Sequence, residues 1–225
     1  MDLEAHIAAS ARVRLHQHTI AQLQACASLT KEALCKGVEA PYQLVIDVDD
    51  TIFPNPLRGG ARGIFQGVDC VVASLSRVPI LVLTARPIWR PSQAQALVDM
   101  LRQRLRLPAS AHLFVAGGIV RASAGALLDL FFDHRQWRVY NGMAQVKHRC
   151  IQVYDSLFNS RLKPSLVFIG DNAQGDVLTA HMGAHSQLLS RSFIHIVGPQ
   201  PVPPQASIQC FSHYDEVSEW LVQRS

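Results

Sequence analysis

The sequence predicts an α/β fold in which helices cover both faces of a doubly wound parallel sheet. Three observations predict it. Short apolar runs bounded by turn residues recur along the chain, as is typical of buried strands. Helix-like stretches separate these runs, which is the pattern of parallel strands joined by crossover helices. Several runs end in a carboxylate or hydroxyl side chain, as expected where an open sheet places its active site.

The predicted strands and helices alternate through most of the chain. The first strand begins at Leu44, and later strands cover 80–84, 112–116, 166–169, 193–197 and 208–211. Helices are predicted over 2–28, 30–36, 68–77, 92–106, 143–160 and 215–222. We therefore expect an N-terminal helical extension, residues 1–40, followed by an α/β domain, residues 41–225.

The first strand runs into a cluster of carboxylates, Asp47, Asp49 and Asp50, followed by Thr51. Because side chains alternate along an extended strand, Asp47 and Asp49 start on the same side. Two carboxylates held this close repel each other unless a cation or a proton lies between them. Mg²⁺ prefers a few carboxylates together with waters and a phosphate oxygen, so the cluster predicts a Mg²⁺ site. An acidic turn or helix cap is the alternative.

Two further strands end in polar residues that could join the same site. The second strand ends in Thr84, and Arg86 two residues later could form a bidentate pair with a phosphate. The strand over 166–169 leads into Gly170-Asp171 and then Asp176. For Thr84 the alternative is a turn or helix cap, and for Arg86 it is a structural ion pair.

The stretch Asp47-x-Asp49-x-Thr51 after an apolar strand resembles motif I of the haloacid dehalogenase (HAD) superfamily. The resemblance implies a Mg²⁺-dependent phosphatase or phosphotransferase on a Rossmann-like sheet. It implies that Asp47 is the nucleophile, which forms an aspartyl-phosphate, and that Asp49 is the general acid and base. Chemistry agrees, since one carboxylate can split phosphoryl transfer into two steps while another moves the protons. Asp50, Thr51 and Arg86 are expected on the phosphate-binding side.

Motifs II and III of that superfamily also have counterparts here. Thr84 at its strand end is similar to the motif II hydroxyl that holds a phosphoryl oxygen. Motif III needs a lysine to neutralise the nucleophile and the phosphoryl group. The chain has four lysines. Lys31 and Lys36 precede motif I, and Lys163 falls at the opposite end of the next strand, so we assign this role to Lys147.

The stretch Gly170-Asp171 with Asp176 resembles motif IV, Gly-Asp-x-x-x-x-Asp. The resemblance implies that Asp171 completes the Mg²⁺ site together with Asp47 and the backbone carbonyl of Asp49. Asp176 would support the site without binding the metal directly, by orienting its ligands or through a water.

Motif IV and the length of the cap windows bear on the substrate class. Residues 170–176 are similar to the corresponding motif of actin-patch-type phosphatidate phosphatases, although Ala173 stands where those enzymes have glycine. Residues 52–78 leave room for a short cap only. Residues 117–141 contain glycines and aromatic side chains, and either a lid or a core helix fits them. A minimal cap would suit a large phosphorylated substrate or a lipid phosphate.

Composition narrows the remaining function classes. The formal charge is +4 without an Arg- and Lys-rich stripe, so we expect no nucleic-acid partner. The five cysteines are scattered and form no Cys-x-x-Cys pair, which favours reduced thiols and a cytoplasmic location, with export as an effector as the alternative. We expect no signal peptide and no transmembrane segment. Peripheral membrane contact and the oligomeric state stay open.

Two other functions fit the same motifs. A phosphotransferase would use the same intermediate but pass the phosphoryl group to an alcohol instead of water. A non-catalytic binding module on the same scaffold would normally lack the nucleophile or the metal carboxylate, yet both Asp47 and Asp171 are present.

Overall fold

The computed structural model describes residues 2–40, 42–54, 63–84, 91–117, 136–159, 162–173 and 175–223. The helices are α1 (Leu3–Ala11), α2 (Gln17–Cys35), α3 (Val68–Ser74), α4 (Pro91–Arg104), α5 (Gln136–Ser156), α6 (Asp176–His185) and α7 (Tyr214–Val222). The strands are β1 (Tyr42–Asp47), β2 (Ile80–Thr84), β3 (Leu113–Gly117), β4 (Ser165–Asp171), β5 (Arg191–His195) and β6 (Ile208–Phe211).

The six strands form one sheet in the order β3-β2-β1-β4-β5-β6, and every neighbouring pair is parallel. This confirms the predicted α/β fold with a parallel sheet. The chain moves outward from β1 to β3, then returns to the other side of β1 with β4. The switch point between β1 and β4 is where open α/β sheets form their ligand crevice, at the carboxyl ends of the strands.

Each face of the sheet packs against its own set of helices. On one face, strand residues such as Ile46 and Val82 join side chains from α3, α4 and α7 in one apolar cluster. On the other face, residues such as Val45 and Phe168 join side chains from α2, α5 and α6. Because both faces are covered, the strands are almost continuously apolar until their carboxyl ends.

The N-terminal helices pack directly on the α/β core. Leu23, Cys26 and Ala27 of α2 are buried in the second apolar cluster. The Thr19 hydroxyl of the same helix donates to the carbonyl of Gly117 at 3.1 Å. Helix α1 lies against α5 and α6, where the Ser10 hydroxyl contacts His148 Nδ1 at 2.8 Å.

The helices differ from the predicted ones mainly in the N-terminal region and at the start of α5, and α6 was not predicted. The predicted helix over 2–28 is divided between α1 and α2, and α2 continues through Thr30 instead of ending before it. The Thr30 hydroxyl donates to the carbonyl of Cys26 at 2.9 Å, one turn back, so it stays inside the helix and does not cap a new one. Helix α5 begins seven residues earlier than predicted, at Gln136 instead of 143. Most of the lid window, 118–135, lies outside the described residues.

Within the described ranges, no helix is both long enough and apolar enough to span a lipid bilayer.

The packing of α2 predicts that the N-terminal region contributes strongly to stability. Leu23→Ala removes a fully buried side chain and should lower the free energy of unfolding by about 2–5 kcal/mol. Gln24→Ala on the exposed face of the same helix is the control and should change it by less than about 0.5 kcal/mol. Urea denaturation of both variants measures the difference, and equal small effects would contradict the packing.

Candidate functional site

Three carboxylates and one lysine meet at the carboxyl edge of the sheet, beside the switch point. Asp47 is the last residue of β1, Asp171 is the last residue of β4, and Asp176 is the first residue of α6. Lys147 reaches the group from the middle of α5. All four are at least 97% buried, so the structure brings together predicted residues that are up to 129 positions apart.

The carboxylates of Asp47, Asp171 and Asp176 each place one oxygen within 4.8 Å of the others. Both oxygens of Asp176 are already used, since Oδ1 pairs with Lys147 Nζ and Oδ2 accepts the backbone N–H of Asp171 at 3.2 Å. Oδ2 of Asp47 and Oδ2 of Asp171, in contrast, are buried and accept no hydrogen bond. The two free oxygens point to Asp47 and Asp171 as the residues able to bind a cation directly.

Lys147 is the counter-ion of this cluster. Its Nζ lies 2.7 Å from Asp47 Oδ1 and also contacts Asp176 Oδ1. The other lysines have partners elsewhere: Lys163 pairs with Asp155 at 2.7 Å, and Lys36 pairs with Glu32 at 2.5 Å. Lys31 lies over the Phe158 ring, 5.5 Å from its centroid.

The three carboxylates exceed the single lysine by two negative charges, and their pKa values respond to that excess. Burial, opposed by Lys147 and reinforced by Asp176, raises the pKa of Asp47 to about 8. Burial and the carboxylates of Asp176 and Asp47 raise the pKa of Asp171 well above its usual range. Burial alone would lower the pKa of Lys147, but Asp176 and Asp47 outweigh it and raise the pKa, so the amine stays cationic.

Gly170 makes room for the Asp176 carboxylate. A Cβ at position 170 would lie 2.6 Å from both Cβ and Oδ2 of Asp176, a distance that real Cβ contacts do not tolerate. The glycine in this motif is therefore required by the close approach of α6 to the end of β4.

The residues after β1 form a tight turn that carries Asp49. The N–H groups of Ile52 and Phe53 both bond to the carbonyl of Val48, at 2.9 and 3.1 Å, and the N–H of Asp50 bonds to the carbonyl of Phe53 at 2.8 Å. The backbone of Asp50 is in the left-handed region, with φ of 59°. This conformation costs a non-glycine residue about 1–3 kcal/mol. Asp49 itself is partly exposed, whereas Asp50 and Thr51 are buried.

The remaining predicted residues are placed as follows. Thr84 is fully buried at the end of β2, one position beyond Leu83, which is the partner of Asp47 in register. The Thr51 hydroxyl oxygen is buried and makes no hydrogen bond. Arg86 lies outside the described residues.

Two residues that support the turn were missed by sequence reasoning. His195 Nδ1 lies 3.1 Å from the carbonyl oxygen of Asp50, and the Tyr214 hydroxyl donates to the carbonyl of Thr51 at 2.6 Å. Because a carbonyl oxygen can only accept, Nδ1 of His195 must carry a proton. The signal for His195 was its place near the end of an apolar run, while nothing in the sequence distinguishes Tyr214.

Asn172, next to Asp171, holds the segment that follows β5. Its Nδ2 donates to the carbonyls of Gly198 and Gln200 at 2.7 and 2.8 Å, and its Oδ1 accepts the N–H groups of Val197 and Gly198 at 2.9 and 3.0 Å. All hydrogen-bonding positions of this amide are thus used to fix the chain beside the carboxylates.

The site fits a hard divalent cation such as Mg²⁺. Its possible ligands are oxygens, two of them are buried without a partner, and the excess negative charge needs compensation. Asp47 and Asp171 would hold the cation, and Asp176 would orient Lys147 and the end of β4.

No protein-family model, curated protein or solved structure matches this chain.

The charge excess predicts Mg²⁺ binding that strengthens as pH rises. The raised pKa of Asp47 means that its contribution to stability is present below about pH 4 and is lost as pH rises through about 8. A cation replaces the missing proton, so Mg²⁺ should raise the melting temperature more at pH 8 than at pH 5. At 100 times its Kd the ion would add about 2.7 kcal/mol.

Asp171→Asn tests the ligand assignment in the same thermal measurement. Asparagine keeps the oxygen that accepts the Ala173 N–H but removes the charge, so the Mg²⁺-dependent shift should be lost. Asp99→Asn, on the exposed face of α4, is the control and should keep it. A full Mg²⁺ shift in Asp171→Asn would place the cation elsewhere.

Proposed function

We propose that this protein is a Mg²⁺-dependent phosphomonoesterase of the HAD type that acts through an aspartyl-phosphate. The observation that carries the proposal is the buried contact between Asp47 and Lys147, beside the free carboxylate oxygen of Asp171. A carboxylate that is paired with a lysine and stands next to a cation site is suited to attack phosphorus, because both positive charges reduce its repulsion from the phosphate.

The chain supplies a group for each step of this reaction. Asp47 attacks phosphorus, the ester P–O bond breaks, and the leaving alcohol takes a proton from Asp49. Asp49 then accepts a proton from a water, whose oxygen attacks the phosphorus and releases inorganic phosphate and the Asp47 carboxylate. Lys147 stabilises negative charge in both steps, and Thr84, buried at the end of β2, is the residue that we assign to holding a phosphoryl oxygen.

Asp47 and Asp171 would hold Mg²⁺, which would supply the positive charge that neutralises and orients the phosphate. These two residues are suited to that role because each keeps one buried oxygen that accepts no hydrogen bond, and their carboxylates lie close together. A strongly buried site with fewer positive charges than carboxylates would otherwise repel an anionic substrate.

The different surroundings of Asp47 and Asp49 support their different roles. Asp47 is buried and paired, which holds a nucleophile in one orientation. Asp49 lies on the turn after β1 and is partly exposed, so it can exchange its proton with water between the two steps.

Asp47→Asn should lower the rate of phosphate release by at least about 10³-fold, since an amide cannot act as the nucleophile. The fold should survive, because the substitution is isosteric and removes one negative charge from a cluster that has more carboxylates than lysines. We would assay the purified protein with Mg²⁺ on an aryl phosphate and on a panel of phospholipids, sugar phosphates, nucleotides and phosphopeptides.

The matched control is Asp155→Asn, which breaks another aspartate–lysine pair, that with Lys163. It should leave turnover unchanged. Retained turnover in Asp47→Asn would remove Asp47 from its role, and a wild type that binds Mg²⁺ but is silent on every ester would favour a binding module. Transfer of phosphate to added alcohols, in competition with water, would indicate a phosphotransferase.

A further inference from the structure

Two buried residues from other elements form hydrogen bonds with the turn that carries Asp49. His195, the last residue of β5, contacts the carbonyl of Asp50 at 3.1 Å. Tyr214, the first residue of α7, donates to the carbonyl of Thr51 at 2.6 Å. These carbonyls belong to consecutive residues, so two donors from two different elements fix both the position and the tilt of the turn.

We infer that His195 and Tyr214 are positioning residues that hold Asp49 in place for proton transfer. The inference rests on the proposed phosphatase activity. It adds to that activity two residues whose side chains bond to the backbone of the turn, although His195 is also the strand neighbour of Asp171.

The turn needs outside support because its own hydrogen bonds do not complete it. The N–H groups of Asp50, Ile52 and Phe53 are bonded within the turn, which leaves the carbonyls of Asp50 and Thr51 to find donors outside it. The backbone of Asp50 also adopts the left-handed conformation, which persists only where the surroundings enforce it. His195 and Tyr214 supply those surroundings.

Aromatic packing keeps the two donors in place. The His195 ring is stacked on Phe211, with centroids 5.0 Å apart, and meets the edge of Phe65 at 4.5 Å. Phe211 also packs against Tyr214 at 4.9 Å. The backbone N–H of Phe65 donates to the carbonyl of Ile52 at 3.0 Å, so the same aromatic cluster contacts the turn a third time.

Loss of these contacts should affect Asp49 more than Asp47. Asp47 is fixed by the β1 ladder and by Lys147, neither of which involves the turn. The backbone of Asp49 is part of the turn, and a displacement of about 1 Å can lower a proton-transfer-dependent rate by about 100-fold. The expected signature is therefore selective loss of leaving-group protonation, with nucleophilic attack preserved.

The test compares kcat/KM for two esters, because kcat/KM reports the steps up to departure of the alcohol. An aryl phosphate has a leaving group that needs little protonation, whereas an alkyl phosphate such as glycerol phosphate needs a proton from Asp49. His195→Leu and Tyr214→Phe each remove a donor and keep an apolar side chain between the same neighbours. Both should lower kcat/KM by about 10- to 100-fold for the alkyl ester and by less than about threefold for the aryl ester.

His195→Asn provides the rescue, since its amide N–H can replace the Nδ1 donor, and it should recover most of the alkyl-ester activity. Asp49→Asn should show the same selectivity with a larger loss. Tyr154→Phe is the matched control, because it removes a buried hydroxyl that is hydrogen-bonded to Gln43 outside the site. It should leave the ratio of kcat/KM for the alkyl ester to kcat/KM for the aryl ester unchanged.

Equal losses on both esters in folded His195→Leu and Tyr214→Phe would overturn the positioning role while leaving the phosphatase in place. A wild type inactive on both esters with Mg²⁺ would overturn the proposed function and this inference together. Melting temperatures of the variants establish that each one is folded.

Discussion

The burial of one lysine among three carboxylates is the constraint on which the rest of the site depends. Lys147 would not remain charged in the core without Asp47 and Asp176, and the carboxylates would not remain together without Lys147 and a further positive charge. Each of β1, α5, β4 and α6 supplies one member of the group. The order of the strands therefore matters chemically, because it is the placement of β4 beside β1 that brings Asp171 to Asp47.

This arrangement separates two requirements that the proposed phosphoryl transfer would impose on the site. The buried charged groups lie on the sheet and on helices packed against it, which hold side chains more precisely than a loop does. The group that we assign to proton transfer lies on a turn at the rim, where water can reach it. A turn is less rigid than a strand, so the rim requires additional contacts, and the carbonyls of Asp50 and Thr51 receive them from β5 and α7.

Much of the fold could be predicted because the signals were local. A buried parallel strand is a short apolar run, and its carboxyl end is marked by the first polar residues, which located Asp47, Thr84 and Asp171 within one or two positions. Helix boundaries were less secure, because Thr30 satisfies its hydroxyl inside α2 and gives no stop signal. The packing of α1 and α2 on the core could not be predicted, since it depends on contacts such as that between Ser10 and His148, 138 residues apart.

The same distinction explains which parts of the site escaped prediction. A motif makes its members visible by their spacing, and Asp171 and Asp176 are visible in this way. Tyr214 is 163 residues from the carbonyl that it holds, and its partner is a backbone atom, for which any residue type would serve. A supporting contact of this kind constrains one side chain only, so it leaves no pattern along the chain. It becomes recognisable when the turn, the left-handed Asp50 and the two donors are seen together, and for that reason the structure adds most to the sequence around Asp49.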